Sequence, residues 1–143
     1  MAFPKDAVFK VVTTVHRVAF DLSKGRALGK AAGMPVVKLT TVGRKSGQRR
    51  STMLTAPLIE GENVILVASF GGDDRNPTWF GNLVANPDVE VEMGSDRFSA
   101  RAVVLEGEER GRVWEQAASR FPFLNEHQSR TPRQIPVIAL ERS

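Results

Sequence analysis

The sequence predicts a mainly β domain with peripheral helices, an α+β arrangement built on a small antiparallel barrel. Three observations lead there. Six apolar runs of strand length occur along the chain, and turn signals join most of them as hairpins. Helical periodicity is confined to the start, the middle and a stretch near the end. No repeat, low-complexity tract or composition break divides the 143 residues, which fit one domain, 1–143.

Residues 5–22 read as an N-terminal helix. Val8, Val11, Val12, Val15, Ala19 and Leu22 recur at helical spacing, with Lys5, Asp6, Lys10, Arg17 and Asp21 on the other face. Valines are weak helix formers, so this helix needs tertiary packing. Residues 23–35 hold three glycines and three cations and read as a loop. Residues 36–42 and 51–58 are the first two expected strands. Glu60-Gly61-Glu62-Asn63 is a turn signal and residues 64–69 read as a buried strand, so strands two and three are expected to form a hairpin.

Residues 70–76 form a loop with freedom at Gly71 and Gly72. A short helix follows, with Asn76 as its expected N-cap, Pro77 in its first turn, and Trp79, Leu83 and Val84 inward. Asn86-Pro87 ends it. Residues 88–93 alternate, with Val89, Val91 and Met93 on one face and Glu90 and Glu92 on the other. In residues 97–105, Phe98, Ala100, Ala102 and Val104 share a face. Residues 108–121 read as a helix burying Val113, Trp114, Ala117 and Ala118, with Glu108 and Glu109 at its positive end. Residues 122–131 are polar and partly helical, and residues 135–140 make the sixth strand.

Composition removes several chemistries. With no cysteine there is no disulfide, no thiolate metal site and no cysteine nucleophile; with only His16 and His127, a histidine-rich metal centre is excluded. No apolar stretch approaches the length of a bilayer span, and charges interrupt the N-terminus, so a cytoplasmic protein is expected. The net charge of +4 hides a segregation: residues 1–50 hold eleven Lys/Arg against two Asp, while the remainder is net acidic. Such a field steers anions to one part of the surface.

The densest cationic stretch is Gly43-Arg44-Lys45-Ser46-Gly47-Gln48-Arg49-Arg50, between the first two strands. A glycine-rich cationic turn offers backbone N–H groups and fixed positive charge to one anionic group, as in a phosphorylated ligand. An ordinary solvated hairpin turn is the alternative, and the residues alone leave both open. Nucleic-acid binding is not expected, because the basic third has only Phe3, Phe9 and Phe20 as aromatics and none beside this turn.

Four motifs occur in order: Leu39-Thr40-Thr41-Val42-Gly43-Arg44-Lys45-Ser46-Gly47, Val67-Ala68-Ser69-Phe70-Gly71-Gly72, Pro77-Thr78-Trp79-Phe80-Gly81-Asn82-Leu83-Val84-Ala85-Asn86-Pro87, and Gln128-Ser129-Arg130-Thr131-Pro132-Arg133-Gln134-Ile135-Pro136-Val137. Together, over about residues 36–140, they resemble the deazaflavin-dependent nitroreductase family, actinobacterial split β-barrel oxidoreductases that use reduced coenzyme F420, an 8-hydroxy-5-deazaflavin. The resemblance implies a split barrel of six antiparallel strands and hydride transfer to an electron-poor quinone, enone or nitroaromatic. It implies that Arg44, Lys45 and Ser46 grip the coenzyme's phosphate. Arg50, Ser51, Thr52, Met53, Leu54 and Thr55 would run along the coenzyme. Val67, Ala68, Ser69 and Phe70 would close the other side, and Trp79, Phe80, Gly81, Asn82 and Leu83 would pack near the ring. Lys24, Arg26, Lys30, Lys38 and Arg49 are candidates for its polyglutamate tail.

The chain departs from that family in two places. His127 stands where relatives often carry a tyrosine, and the chain has no tyrosine. This argues against assuming the family's nitroreductase activity and makes His127, with Ser69 or water as alternatives, the candidate proton donor; a surface histidine is the other reading of His127. Met53 stands where many relatives have proline. A flavin enzyme using FMN and a non-catalytic F420 carrier remain alternatives. The N-terminal helix either caps the barrel or touches an anionic membrane surface. The oligomeric state is left open.

Overall fold

A computed structural model describes residues 30, 31 and 33–143. The helix expected at residues 5–22, with His16, and the tail candidates Lys24 and Arg26 lie outside the described residues. The strands are β1 (Lys30–Ala31), β2 (Met34–Val42), β3 (Arg49–Thr55), β4 (Leu58–Glu60), β5 (Asn63–Val67), β6 (Asp88–Met93), β7 (Asp96–Val104) and β8 (Val137–Arg142). The helices are α1 (Thr78–Ala85), α2 (Gly107–Arg120) and α3 (Phe123–Ser129), and a short 3-10 turn spans Phe70–Gly72.

The six expected strands are present, with two short additions. One is the two-residue β1, inside the expected loop. The other arises because the second expected strand is broken. Ala56 donates its N–H to the Pro35 carbonyl at 3.0 Å, and Pro57 has no N–H to offer. The chain therefore leaves β3 and restarts as β4. It is β4, not β3, that forms the hairpin with β5; the partner of β3 is β2, with Val36 opposite Thr55 and Val42 opposite Arg49.

Every strand pairing is antiparallel, and the sheet runs β1-β2-β6-β7-β8-β5-β4 with β3 added to β2. One face closes on itself. Val37 and Leu39 of β2 share an apolar cluster with Val64 and Leu66 of β5, Val89 and Val91 of β6, Phe98 and Ala100 of β7, Ile138 and Leu140 of β8, and Leu83 of α1. The outer face of β5 and β8 is covered by α2 and α3, where Ile65, Val137 and Ala139 meet Val113, Trp114, Ala117 and Leu124. Burial on both faces explains why β5 and β8 read as continuous apolar runs rather than alternating ones. The barrel is split because β3 and β5 do not pair with each other.

Two expected core residues lie outside it. Val84 is 57% exposed, since α1 is eight residues long and buries only Asn82 and Leu83. Val104 is exposed at the last position of β7, where the buried residue is the following Leu105. The N-cap of α1 is Pro77 and no side chain caps it, so Asn76 does not have that role. Among the described residues no helix is long and apolar enough to cross a membrane.

Candidate active site

The split opens into a cleft of about 1150 Å³. Its walls are the basic turn, β3, the end of β5, residues 69–71, the start of α1, and Phe123 and His127 of α3. Fifteen of the residues singled out from sequence line it: Arg44, Lys45, Ser46, Arg50, Ser51, Thr52, Met53, Leu54, Thr55, Val67, Ser69, Phe70, Trp79, Asn82 and His127. Four do not. Ala68 and Leu83 are in the barrel core, Phe80 packs against it, and Gly81 lies beneath Arg44. Of the tail candidates, Lys38 is taken up by Glu92 at 3.5 Å and Arg49 opens on a separate recess of about 210 Å³.

The basic turn is closed by Gly43 N–H to the Gln48 carbonyl (2.7 Å) and Gly47 N–H to the Gly43 carbonyl (2.8 Å). Gln48 N–H donates to Ser46 Oγ (3.2 Å), and Gly47 supplies the positive φ of 70° that the turn requires. Asn82 docks the turn on α1. This residue is 4% exposed, accepts from Arg44 N–H at 3.1 Å and donates to Thr41 Oγ1 at 3.3 Å. The helical asparagine is thus a cross-brace. Arg44 then lies across Gly81: a Cβ there would stand 3.2 Å from Nη1.

The turn's chemistry follows from what these bonds leave over. Arg44, Lys45 and Arg50 have no carboxylate partner among the described residues, in contrast to Lys38, Arg75, Arg97, Arg101, Arg112 and Arg142. The Lys45 and Ser46 amides also make no hydrogen bond among them. Three uncompensated cations and two available amides at one end of a deep cleft fit an anionic group.

The opposite rim is built differently. Phe70 has φ of 48°, the one positive value among the described non-glycine residues, and Gly71 and Gly72 follow at 66° and 83°. Gly72 cannot carry a side chain, because a Cβ would lie 2.7 Å from the His127 carbonyl oxygen. Ser69 Oγ and His127 Nδ1 are 3.2 Å apart. Burial, reinforced by Arg130 and opposed by Glu126, holds the His127 pKa below the ordinary histidine value. The imidazole is therefore the neutral form near pH 7, and Phe123 meets its ring edge-on.

Arg133 was not singled out from sequence, yet it organises this rim. Its Nε donates to the Asp73 carbonyl (2.8 Å), Nη1 to Asn76 Oδ1 (2.9 Å), and Nη2 to the Ser69 and Ala68 carbonyls (2.9 and 3.3 Å). Arg130 Nη1 adds a bond to the Gly71 carbonyl at 3.2 Å. Other lining residues missed from sequence include Arg75, Asn76 and Phe123. An aromatic four residues before His127 on a helix was the available signal for Phe123.

Residues 12–142 match the model of the F420H(2)-dependent quinone reductase family. The chain belongs to that family. It is accordingly an F420H2-dependent oxidoreductase, as the motifs implied. It is 38% identical over 135 residues to an F420H(2)-dependent quinone reductase of Mycobacterium tuberculosis, covering 90% of this chain and 88% of that protein. Among solved structures, an F420-H2 dependent reductase, FDR-A, is 41% identical with a TM-score of 0.68, over 75% of this chain and 94% of that one. A domain-swapped dimer is 36% identical with a TM-score of 0.70, over 90% of this chain and 96% of that one. The split barrel is thus the fold this family shares.

Proposed function

We propose that the chain is a quinone reductase whose cleft holds reduced coenzyme F420 by its phosphate. Arg44, Lys45 and Ser46 would hold that phosphate. Residues of β3 from Arg50 to Thr55, together with Val67, Ser69, Phe70, Trp79 and Asn82, would hold the ring system. The observation that carries this reading is the cluster of cations without carboxylate partners among the described residues, at one end of a cleft otherwise walled by β3, Phe70, Trp79 and Phe123.

The reduced coenzyme supplies a hydride, so the protein's task is to bind, orient and keep competitors out. A quinone that gains a hydride becomes an oxyanion and needs one proton to become the hydroquinone. Ser69 and His127 are a hydrogen-bonded pair on the cleft able to hold that proton. With the serine hydroxyl donating to Nδ1, the imidazole carries its proton on Nε2; with the roles exchanged, Oγ is left to donate outward.

The test has two parts. Fluorescence titration with oxidised F420 and with FMN should show saturable binding of the deazaflavin alone. Reduced F420 should then be reoxidised by menadione. Tight binding without reoxidation by menadione, cyclohexenone or a nitroaromatic would replace the reductase with a carrier, and preferential FMN binding would overturn the coenzyme assignment. His127→Phe, assayed with menadione and cyclohexenone, tests the proton route; unchanged rates with both would remove His127 from it.

A further inference from the structure

We infer that Arg133 is a positioning residue for the reaction: its guanidinium holds residues 68–76 in the shape that presents Ser69 and Phe70 to the cleft. The inference rests on the reading of the cleft as the reductase site. Three observations carry it. All three guanidinium nitrogens donate into this one segment, to the carbonyls of Ala68, Ser69 and Asp73 and to the Asn76 side chain. The segment holds an unusual run of backbone, with Phe70 and the two following glycines all at positive φ. Arg133 is itself anchored from the far side. Gln128 Nε2 donates to its carbonyl at 2.7 Å, Gln128 Oε1 accepts from Ile135 N–H at 3.0 Å, and Thr131 Oγ1 accepts from Arg133 N–H at 3.3 Å.

The bonding pattern sets this arginine apart from an ordinary surface cation. Its donors go to carbonyl oxygens and not to a carboxylate, so its contribution is geometric: a planar fork fixes the relative positions of four acceptors. A lysine has three donors on one nitrogen and cannot span them. The hydrogen bonds that shape the segment, Gly72 N–H to the Ser69 carbonyl (2.9 Å) and Asp73 N–H to the Phe70 carbonyl (3.2 Å), should therefore open without the fork.

The experiment compares wild type, Arg133→Lys, Arg133→Ala and Asn76→Ala. In the coenzyme-free protein, Arg133→Lys should speed amide exchange at Gly72 and Asp73 about tenfold or more, leaving β7 and β8 amides unchanged. With reduced F420 and menadione, kcat should fall about 30-fold. The Kd for the coenzyme should rise by a smaller factor than kcat falls, since Arg44 and Lys45, on a separate turn, still hold the phosphate. Millimolar guanidinium should restore turnover to Arg133→Ala and not to Arg133→Lys. Wild-type exchange at Gly72 and Asp73 in Arg133→Lys would overturn the inference. So would an unchanged kcat, or a loss of kcat that tracks falling protection in β7 and β8. If Arg133→Ala does not fold, Asn76→Ala, which removes one acceptor, should give a smaller rise in exchange at the same amides; no rise would count against the inference. A wild-type protein that does not reoxidise the coenzyme sinks the functional reading, while the exchange measurement still decides the role of Arg133.

Discussion

The two rims of the cleft are built on opposite principles. The basic turn is exposed, carries cations without carboxylate partners among the described residues, and is braced on α1 by Asn82. The rim at residues 68–76 is held from the segment that follows α3: Arg130 and Arg133 donate to its carbonyls, His127 beside it is held neutral, and Phe70, Gly71 and Gly72 all take positive φ. Uncompensated charge at the first rim is tolerable because solvent screens it, and it is released to bind when an anion arrives. At the second rim no such reserve exists, and what is stored is shape. A binding end can be adaptable; an end that must hold a proton within reach of an acceptor has to be fixed.

The contrast can be broken most sharply at Gly72. Gly72→Ala places a Cβ against the His127 carbonyl at a positive φ and should cost about 3 kcal/mol of stability, combining backbone strain with the displaced contact. Thermal unfolding should show a drop of several degrees, with activity lost even in the folded fraction. A wild-type melting temperature would mean that α3 is not seated on this rim as described.

The reverse experiment strips charge from the other rim. Arg44→Ala with Lys45→Ala should weaken F420 binding by about 2 kcal/mol, roughly 30-fold, and leave the melting temperature unchanged. Wild-type affinity should likewise fall as salt rises. Equal binding by the double variant would separate the turn from the anion.

Asn82→Ala tests the tie between turn and helix. Leaving Thr41 Oγ1 and the Arg44 amide without their partner should destabilise the fold by about 1–2 kcal/mol and weaken coenzyme binding less than the double variant does. An effect on stability alone would confine Asn82 to the scaffold.

The smallest effect concerns pH. The His127 pKa is lower folded than unfolded, so the neutral ring is the form that the fold favours. Its contribution is complete above the unfolded value of about 6.5 and is lost as pH falls through the folded one. Denaturant midpoints measured downward from pH 7.5 should decline more in wild type than in His127→Asn; parallel curves would remove the histidine from the balance.

Much of this site was legible in the sequence because it is made of side chains with local signatures. The basic turn announced itself by Gly43, Gly47 and the cations between, and residues 64–67 by their unbroken apolar run. The motif containing Thr131 and Arg133 was visible, but its work was not. Arg133 acts on main-chain carbonyls of a segment about sixty residues earlier in the chain, and a carbonyl has no letter in the sequence. Asn82 was expected near the ring, and its bracing of the basic turn was not legible, since a polar residue in a short helix does not declare its partner across the fold. Val84 failed as a core residue because eight residues of α1 are too few to define a helical face. The break at Ala56 was missed because strand propensity continues through Thr55 and Leu58 while the hydrogen bonds change partner.

Gly81 makes a warning for anyone wishing to toughen this enzyme. It sits inside α1 without a positive φ, so helix propensity alone recommends alanine, worth about 0.8–1 kcal/mol. The added methyl would press on the guanidinium resting there and tilt it away from the cleft. A heat-resistant variant obtained by that route would be expected to hold its fold better and its coenzyme worse, a trade hidden in a single absent carbon atom.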